Sequence, residues 1–459
     1  MARRKIVLIG AGSSVFTQGL VADLILSPDL GPWDLGLVDI DEETLTFVTS
    51  LVRRMIDEKR ADITLTASTD RRDILPGANV VVTTIAVGGR RAWEADVFIP
   101  REHGIYQPVG DTVMPGGISR ALRMIPPMIE IARDVGKLCP EAQFLNYSNP
   151  MTAICRAIHK ATDTHVTGLC HGVIHTEGYL ADFAGLPTKK GVTSLAVGVN
   201  HLTFIFDFRW HGKDAWPLVQ ARLQKERDAN FDDASVRREF PDIPLVSKNT
   251  PHSSGSPFSW SLFEAYGAFP APLDRHTTEF FPERFPGGKY EGKTLGIDAF
   301  SFEGTIAGGD RGYERMRGRA VGDEPLDERL FERGPGEHEQ LLSILRSLDG
   351  DRREVFSVNL PNRGAVPQLP DDAVLELPAA VTGRGFAPLH ISDFPPPLSA
   401  ILARRIASQE LTVEAALTGD RRLFVEALLT DGAVTDGHKA GKLADDLLNA
   451  HRQHLPQFG

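Results

Sequence analysis

A chain of 459 residues is too long for one compact domain, and a prior of roughly 150 residues per domain points to two or three. It is 42% hydrophobic and 24% charged, which excludes disorder, collagen and coiled coil, and no apolar run reaches the roughly 18 residues of a membrane span. Acidic residues outnumber basic ones by 61 to 50, a net charge of −11 that argues against a sequence-independent binder of nucleic acid or anionic membrane.

Met1 to Lys5 and the apolar run after them have the outline of a signal peptide. The run is very short and leads into a glycine turn, so the expectation is a mature cytoplasmic N-terminus. Three sparse cysteines, Cys139, Cys155 and Cys170, fit a reducing compartment better than a disulfide framework.

Residues 5–9 read as a buried strand, and Val15 to Ser27 repeats apolar residues at helical spacing. A strand at 35–39, a helix at 42–60, and strands at 63–67 and 79–86 follow. A long helix over 120–137 precedes strands at 143–147 and 165–169. Strands alternating with helices predict an α/β fold with a Rossmann-like parallel sheet of the lactate/malate dehydrogenase kind, assigned to residues 1–190. Beyond 190 the rhythm changes. Short strands at 194–199 and 203–208, a Pro- and Ser-rich segment near 240–260, a Gly-rich stretch at 287–309 and an Arg-rich one at 311–319 lead to a helical end at 398–407, 421–429 and 439–453. Residues 191–459 are expected to form a mixed α/β substrate and oligomerisation domain.

Gly10, Gly12 and Ser13 stand where a strand-to-helix turn lets a dinucleotide pyrophosphate approach backbone N–H groups, although Val15 replaces the third glycine of the fingerprint. Asp39 ends the second strand, where a carboxylate bonds a ribose hydroxyl and favours NAD over NADP; Asp39 and Asp41 could equally cap the next helix. Cys170 and His171 follow a strand, where open α/β sheets place ligands, and Cys170 with the distant His201 could hold a metal or simply be buried. Asn149-Pro150 reads as a turn at another strand end. The proline-bounded loop with Asp274, Arg275, His276 and Glu279 concentrates acid, base and anion-binding groups, and Asp111 lies in a similar segment.

Taken in order, these segments resemble glycoside hydrolase family 4, the NAD- and manganese-dependent glycosidases. The matching pieces are Gly10 to Ser13, Val38 to Asp41, Asp111 to Ile118, Ala121 to Pro126, Asn146 to Met151, Gly168 to His171 and Gly198 to His201, with the 262–282 loop after them. The resemblance implies a redox-assisted elimination, an exception to two-carboxylate hydrolysis. Hydride leaves sugar C3 for NAD, a base takes the C2 proton as the C1–O bond breaks, water adds at C1, and the hydride returns. It also implies Mn2+ or another divalent metal on Cys170 and His201, polarising the C2 and C3 oxygens. Asn149 would serve both cofactor and substrate, and Asn200 the substrate. A homodimer or homotetramer acting on a small-molecule glycoside is expected.

Relatives often carry a tyrosine base where Trp260 stands, and indole cannot be a base. Asp274 is expected in its place, with His276 second, and His171 and Asp111 complete the expected catalytic set. His171 replaces the Asp or Asn usual in phospho-sugar members, which points to a non-phosphorylated sugar. Arg275 offers a planar partner to a C6 carboxylate, hence an α-galacturonide or α-glucuronide, though it could equally be a structural ion-pair residue. The alternatives are an α-glucosidase or α-galactosidase of the same mechanism, an NAD-dependent sugar or hydroxy-acid dehydrogenase, and a non-catalytic NAD-binding protein.

Overall fold

The computed structural model describes residues 3–14, 16–241, 243, 251–331 and 339–459. Val15 and much of the Pro- and Ser-rich segment lie outside the described residues. Six strands come first: β1 Arg4–Ile9, β2 Trp33–Val38, β3 Ile63–Ser68, β4 Val80–Thr83, β5 Gln143–Asn146 and β6 Thr167–Gly168. They run parallel in the order β3-β2-β1-β4-β5-β6. Successive residues of β1 feed opposite cores: Ile6 and Leu8 pack on one face, Val7 and Ile9 on the other. A continuous apolar strand is what helices on both faces of a parallel sheet require.

Beyond residue 190 come β7 Val192–Val199, β8 Leu202–Trp210, β9 Lys213–Asp214 and β10 Phe269–Ala271. After them follow the hairpin β11 Lys289–Tyr290 with β12 Lys293–Thr294, then β13 Glu354–Pro361, β14 Val374–Thr382 and β15 Gly385–Pro388. β13 pairs antiparallel with β6 through Asn359 and Gly168, and the sheet continues through β14, β7, β8 and β10. Among the described residues one sheet of 13 strands thus runs through both halves, and its direction changes where the sequence rhythm changes.

The helix expected over 120–137 begins earlier, as Met114–Leu138. Gly116 and Gly117 suggested a loop, but Pro115 suits the first turn of a helix and the glycines admit close packing. A Cβ on Gly117 would stand 2.3 Å from the Thr112 carbonyl carbon. The Gly- and Arg-rich stretches also hide a helix, Phe302–Val321, which lies against the helix Glu42–Lys59; the hydroxyls of Tyr313 and Thr44 stand 2.7 Å apart. The helical end comprises Pro396–Thr418, Arg421–Asp431 and Gly437–Ala450. Among the described residues no helix is long and apolar enough to cross a membrane.

Candidate functional site

The carboxyl ends of the parallel strands converge with the loops of the second half, where open α/β sheets bind ligands. Gly10 has φ +90°, and a Cβ there would stand 2.8 Å from the Thr84 carbonyl carbon. At Gly12 a Cβ would stand 2.5 Å from a Thr44 methyl and 2.8 Å from Asp39 Oδ2. The turn is a bare-backbone cradle of the kind a dinucleotide pyrophosphate needs. The Ser13 hydroxyl oxygen accepts from Phe16 N–H at 3.1 Å, capping the following helix. Asp39 accepts from Gly12 N–H at 2.8 Å and from Asp41 N–H at 3.1 Å, each oxygen keeping lone-pair capacity for a ribose hydroxyl. Asp41 alone caps the next helix, through Thr44 N–H.

Deeper in, Asp111, His201 and His276 each offer a ligand atom, all within 4.8 Å of one another. Asp111 comes from the loop before the helix Met114–Leu138, and His276 from the short helix Asp274–Thr277. His201 sits in the two-residue turn between β7 and β8 at φ +69°, a conformation uncommon for a non-glycine residue. The imidazoles are 4.2 Å apart, centroid to centroid. Burial depresses both histidines below the ordinary value, His276 strongly, which favours the neutral, ligating form. Burial raises the Asp111 carboxyl, but His201, His276, Arg120 and the Thr112 hydroxyl outweigh it and leave it below the usual value. His276 Nδ1 is buried without a hydrogen-bond partner. Two imidazoles and one carboxylate with such an unused lone pair suit a divalent cation.

Asn149, whose peptide bond to Pro150 is cis, donates from Nδ2 to Asp111 Oδ2 at 3.2 Å, and its own Oδ1 is buried without a partner. Cys170 stands outside the three-residue set; its sulfur accepts from Gly172 N–H at 3.3 Å. His171, exposed at the start of the helix Gly172–Phe183, is near enough for its charge to act on His201 and His276. Arg275 Nη2 donates to the Thr305 hydroxyl at 2.9 Å, and its Nε is buried without a partner.

One expectation is corrected. Asp274 is buried and its carboxylate is committed: Oδ2 accepts from Phe258 N–H at 2.9 Å and Tyr290 O–H at 2.6 Å, and Oδ1 from Ser259 N–H at 2.7 Å and Ser259 O–H at 2.5 Å. A carboxylate holding four donors is a structural clamp, not a free base. Asn200 is wholly buried beside His201; its backbone N–H donates to the Thr152 hydroxyl, and its side-chain Nδ2 and Oδ1 have no hydrogen-bond partner among the described residues. Trp260 is likewise core: its indole donates to Tyr179 O–H at 2.9 Å and packs 4.2 Å from Phe183.

Sequence reasoning missed Thr112 and Arg120, which shape the site, and left Glu279 without a role. Thr112 bridges Asp111 and His201. Glu279 is buried, accepts from Val109 and Gly110 N–H at 2.8 Å each, and is pushed up to about 8, chiefly by burial. Arg120 donates from Nε to the Asn149 carbonyl at 3.1 Å. Glu279 lay in a loop already singled out, but nothing in the sequence reveals that its partners are backbone groups 170 positions away.

The family model described as family 4 glycosyl hydrolase matches residues 5–186, and that of the family's C-terminal domain matches residues 196–434. The chain belongs to glycoside hydrolase family 4. It is therefore a glycoside hydrolase, and it resembles other members along nearly its whole length. An alpha-glucosidase of Erwinia rhapontici is 30% identical over 98% of each chain. An alpha-galacturonidase of Bacillus subtilis (strain 168) is also 30% identical over 98% of each chain. A 6-phospho-alpha-glucosidase from gut microorganisms, solved with NAD and Mn2+, superimposes with a TM-score of 0.82 at 18% identity, covering 100% of both chains. Malate dehydrogenase of Plasmodium falciparum shares the fold at a TM-score of 0.51 and 14% identity, over 92% of this chain and 99% of its own.

Proposed function

We propose that this family 4 member cleaves a non-phosphorylated α-glycoside of a uronic acid, an α-galacturonide or α-glucuronide, with NAD and a divalent cation such as Mn2+ as cofactors. The observation that carries the sugar class is Arg275, a half-buried guanidinium beside His276 that makes no ion pair among the described residues. The nearby Glu279 carboxyl, pushed up to about 8 chiefly by burial, is committed to the Val109 and Gly110 N–H groups. A planar C6 carboxylate would meet that need. Relatives include an alpha-galacturonidase and an alpha-glucosidase, which supports the α-linked, non-phosphorylated class.

When bound, NAD supplies reversible hydride transfer at sugar C3, and the cation polarises the oxygens at C2 and C3. Gly10, Gly12, Ser13 and Asp39 hold the dinucleotide. Asp111, His201 and His276 hold the cation, with Cys170 at the neighbouring strand end as a further candidate ligand. Asn149 orients cofactor and sugar through its unused Oδ1, and Arg275 fixes the sugar ring. With Asp274 committed elsewhere, His171 at the exposed rim is the proton carrier in this reading. A cytoplasmic homodimer or homotetramer belongs to the same proposal.

The test follows aryl release and nicotinamide absorbance together, using aryl α-galacturonide, α-glucuronide, α-glucoside and α-galactoside with NAD, Mn2+ and a thiol reductant. Aryl release from a uronide without net NADH, lost on chelation, is expected. Release from the neutral sugars alone would sink the uronide reading, and stoichiometric NADH without release would make the protein a dehydrogenase.

A further inference from the structure

Arg120 is the cation near the site whose environment is least accounted for. It stands in the second turn of the helix Met114–Leu138, half-buried. Its Nε is tied to the Asn149 carbonyl at 3.1 Å, and the guanidinium lies 5.7 Å from the centroid of the Trp93 ring. Trp93 is itself fixed, its indole donating to the Val109 carbonyl at 2.7 Å and its ring meeting Phe302 edge-on at 5.2 Å. The group is therefore held at one nitrogen and across an aromatic face, while both Nη groups make no hydrogen bond to any described residue. Arg123, one turn on, shows what a satisfied guanidinium looks like here: both of its Nη groups are committed to Asp96. Arg120 has no such partner, yet its charge reaches Asp111, which the Asn149 amide holds on the other side.

A half-buried, immobilised guanidinium whose two Nη groups have no hydrogen-bonded anion among the described residues is open to one that arrives with a ligand. Two anions could arrive. The dinucleotide pyrophosphate belongs at the Gly10–Ser13 turn after β1, whereas Asn149 follows β5. With β4 between them, the two positions are about 10 Å apart by strand spacing alone. In the uronide reading the sugar docks nearer, beside Asp111.

We infer that Arg120 is a specificity-determining residue that receives the substrate carboxylate through its two free Nη groups, alongside Arg275. The inference rests on the uronide reading above and adds a second guanidinium to it. Trp93 and the Asn149 carbonyl pre-orient the fork, which lowers the entropy lost when the carboxylate docks.

The test is equilibrium binding of free D-galacturonate and D-galactose to the NAD- and Mn2+-loaded protein by calorimetry, comparing wild type, Arg120→Gln, Arg120→Lys and Arg275→Gln. Wild type is expected to prefer galacturonate by about 100-fold, because a site built around a polar partner rejects an analogue lacking it. Arg120→Gln should cut that preference at least about 10-fold while NAD affinity, read separately, is unchanged. Arg120→Lys keeps the charge without the fork and should fall between the two.

A preference kept in Arg120→Gln but lost in Arg275→Gln would overturn the role of Arg120 and leave the uronide reading standing. Equal loss of both sugars in Arg120→Gln would also overturn it, since a merely structural role predicts that pattern. No preference in wild type would remove the uronide reading and the inference together. Should Arg120→Gln fail to fold, Arg120→Lys decides, and an undiminished preference there overturns the assignment of the fork.

Discussion

The Thr112 hydroxyl gives its single proton to Asp111 Oδ1 at 2.7 Å and stands 2.7 Å from His201 Nδ1, so it must accept from that imidazole. The relay makes Nδ1 the protonated nitrogen of His201 and leaves Nε2 with the lone pair a cation needs. Thr112→Val should weaken Mn2+ binding by about 10- to 100-fold, and Thr112→Ser should restore most of it. Metal titration by calorimetry checks both. An unchanged affinity in Thr112→Val would show that the relay does not set the ligand.

Asp274 is the second case in which a hydrogen-bond inventory decides a role. Four donors on one buried carboxylate tie Phe258, Ser259 and Tyr290 together, so Asp274→Ala should lower the unfolding free energy by about 3 kcal/mol, measured by urea denaturation. Asp274→Asn should keep solvent-deuterium exchange at C2 of the sugar. Loss of exchange in a variant that still folds would return Asp274 to the role of base.

Glu279 makes stability depend on pH. Its folded value of about 8 lies above the ordinary 4.5, so the folded state binds the extra proton between them. Its contribution is therefore complete below about 4.5 and is lost as pH rises through about 8. Glu376, buried and raised to about 7, adds in the same direction. Thermal unfolding of the metal-free protein should show Tm falling across this window. Glu279→Gln, whose amide oxygen can still accept from Val109 and Gly110, should flatten the slope. An equal slope in wild type and variant would exclude Glu279 as its source.

Gly10 offers a test of the cradle. Alanine there must adopt φ +90° with its Cβ 2.8 Å from backbone that cannot swing aside. Gly10→Ala should weaken NAD binding at least about 10-fold and lower Tm, because strained backbone costs roughly 1–2 kcal/mol before any ligand is lost. Fluorescence titration with NADH reads the first effect.

The parallel half was legible because its signals are local. β-branched runs bounded by glycine marked the strands, and the Gly10 turn stood in the right place between strand and helix. The helix Phe302–Val321 was not legible, since Gly304, Gly308, Gly309 and Gly312 lower its intrinsic propensity and its stability comes from the helix it lies against. Asp111, His201 and His276 could each be named from sequence, but their convergence could not, because the loop before Met114–Leu138, the β7–β8 turn and the short helix Asp274–Thr277 must meet first. Asp274 misled for the same reason: a carboxylate beside an Arg-His pair looks reactive until its four donors are seen.

The junction of β6 with β13 has one further consequence. The halves that would hold dinucleotide and sugar share hydrogen-bonded strands, and the helix Phe302–Val321 ties them again through Tyr313 and Thr44. Prising them apart would unzip a sheet, so the distance between the two halves is set by strand pairing, as fixed as the rungs of a ladder.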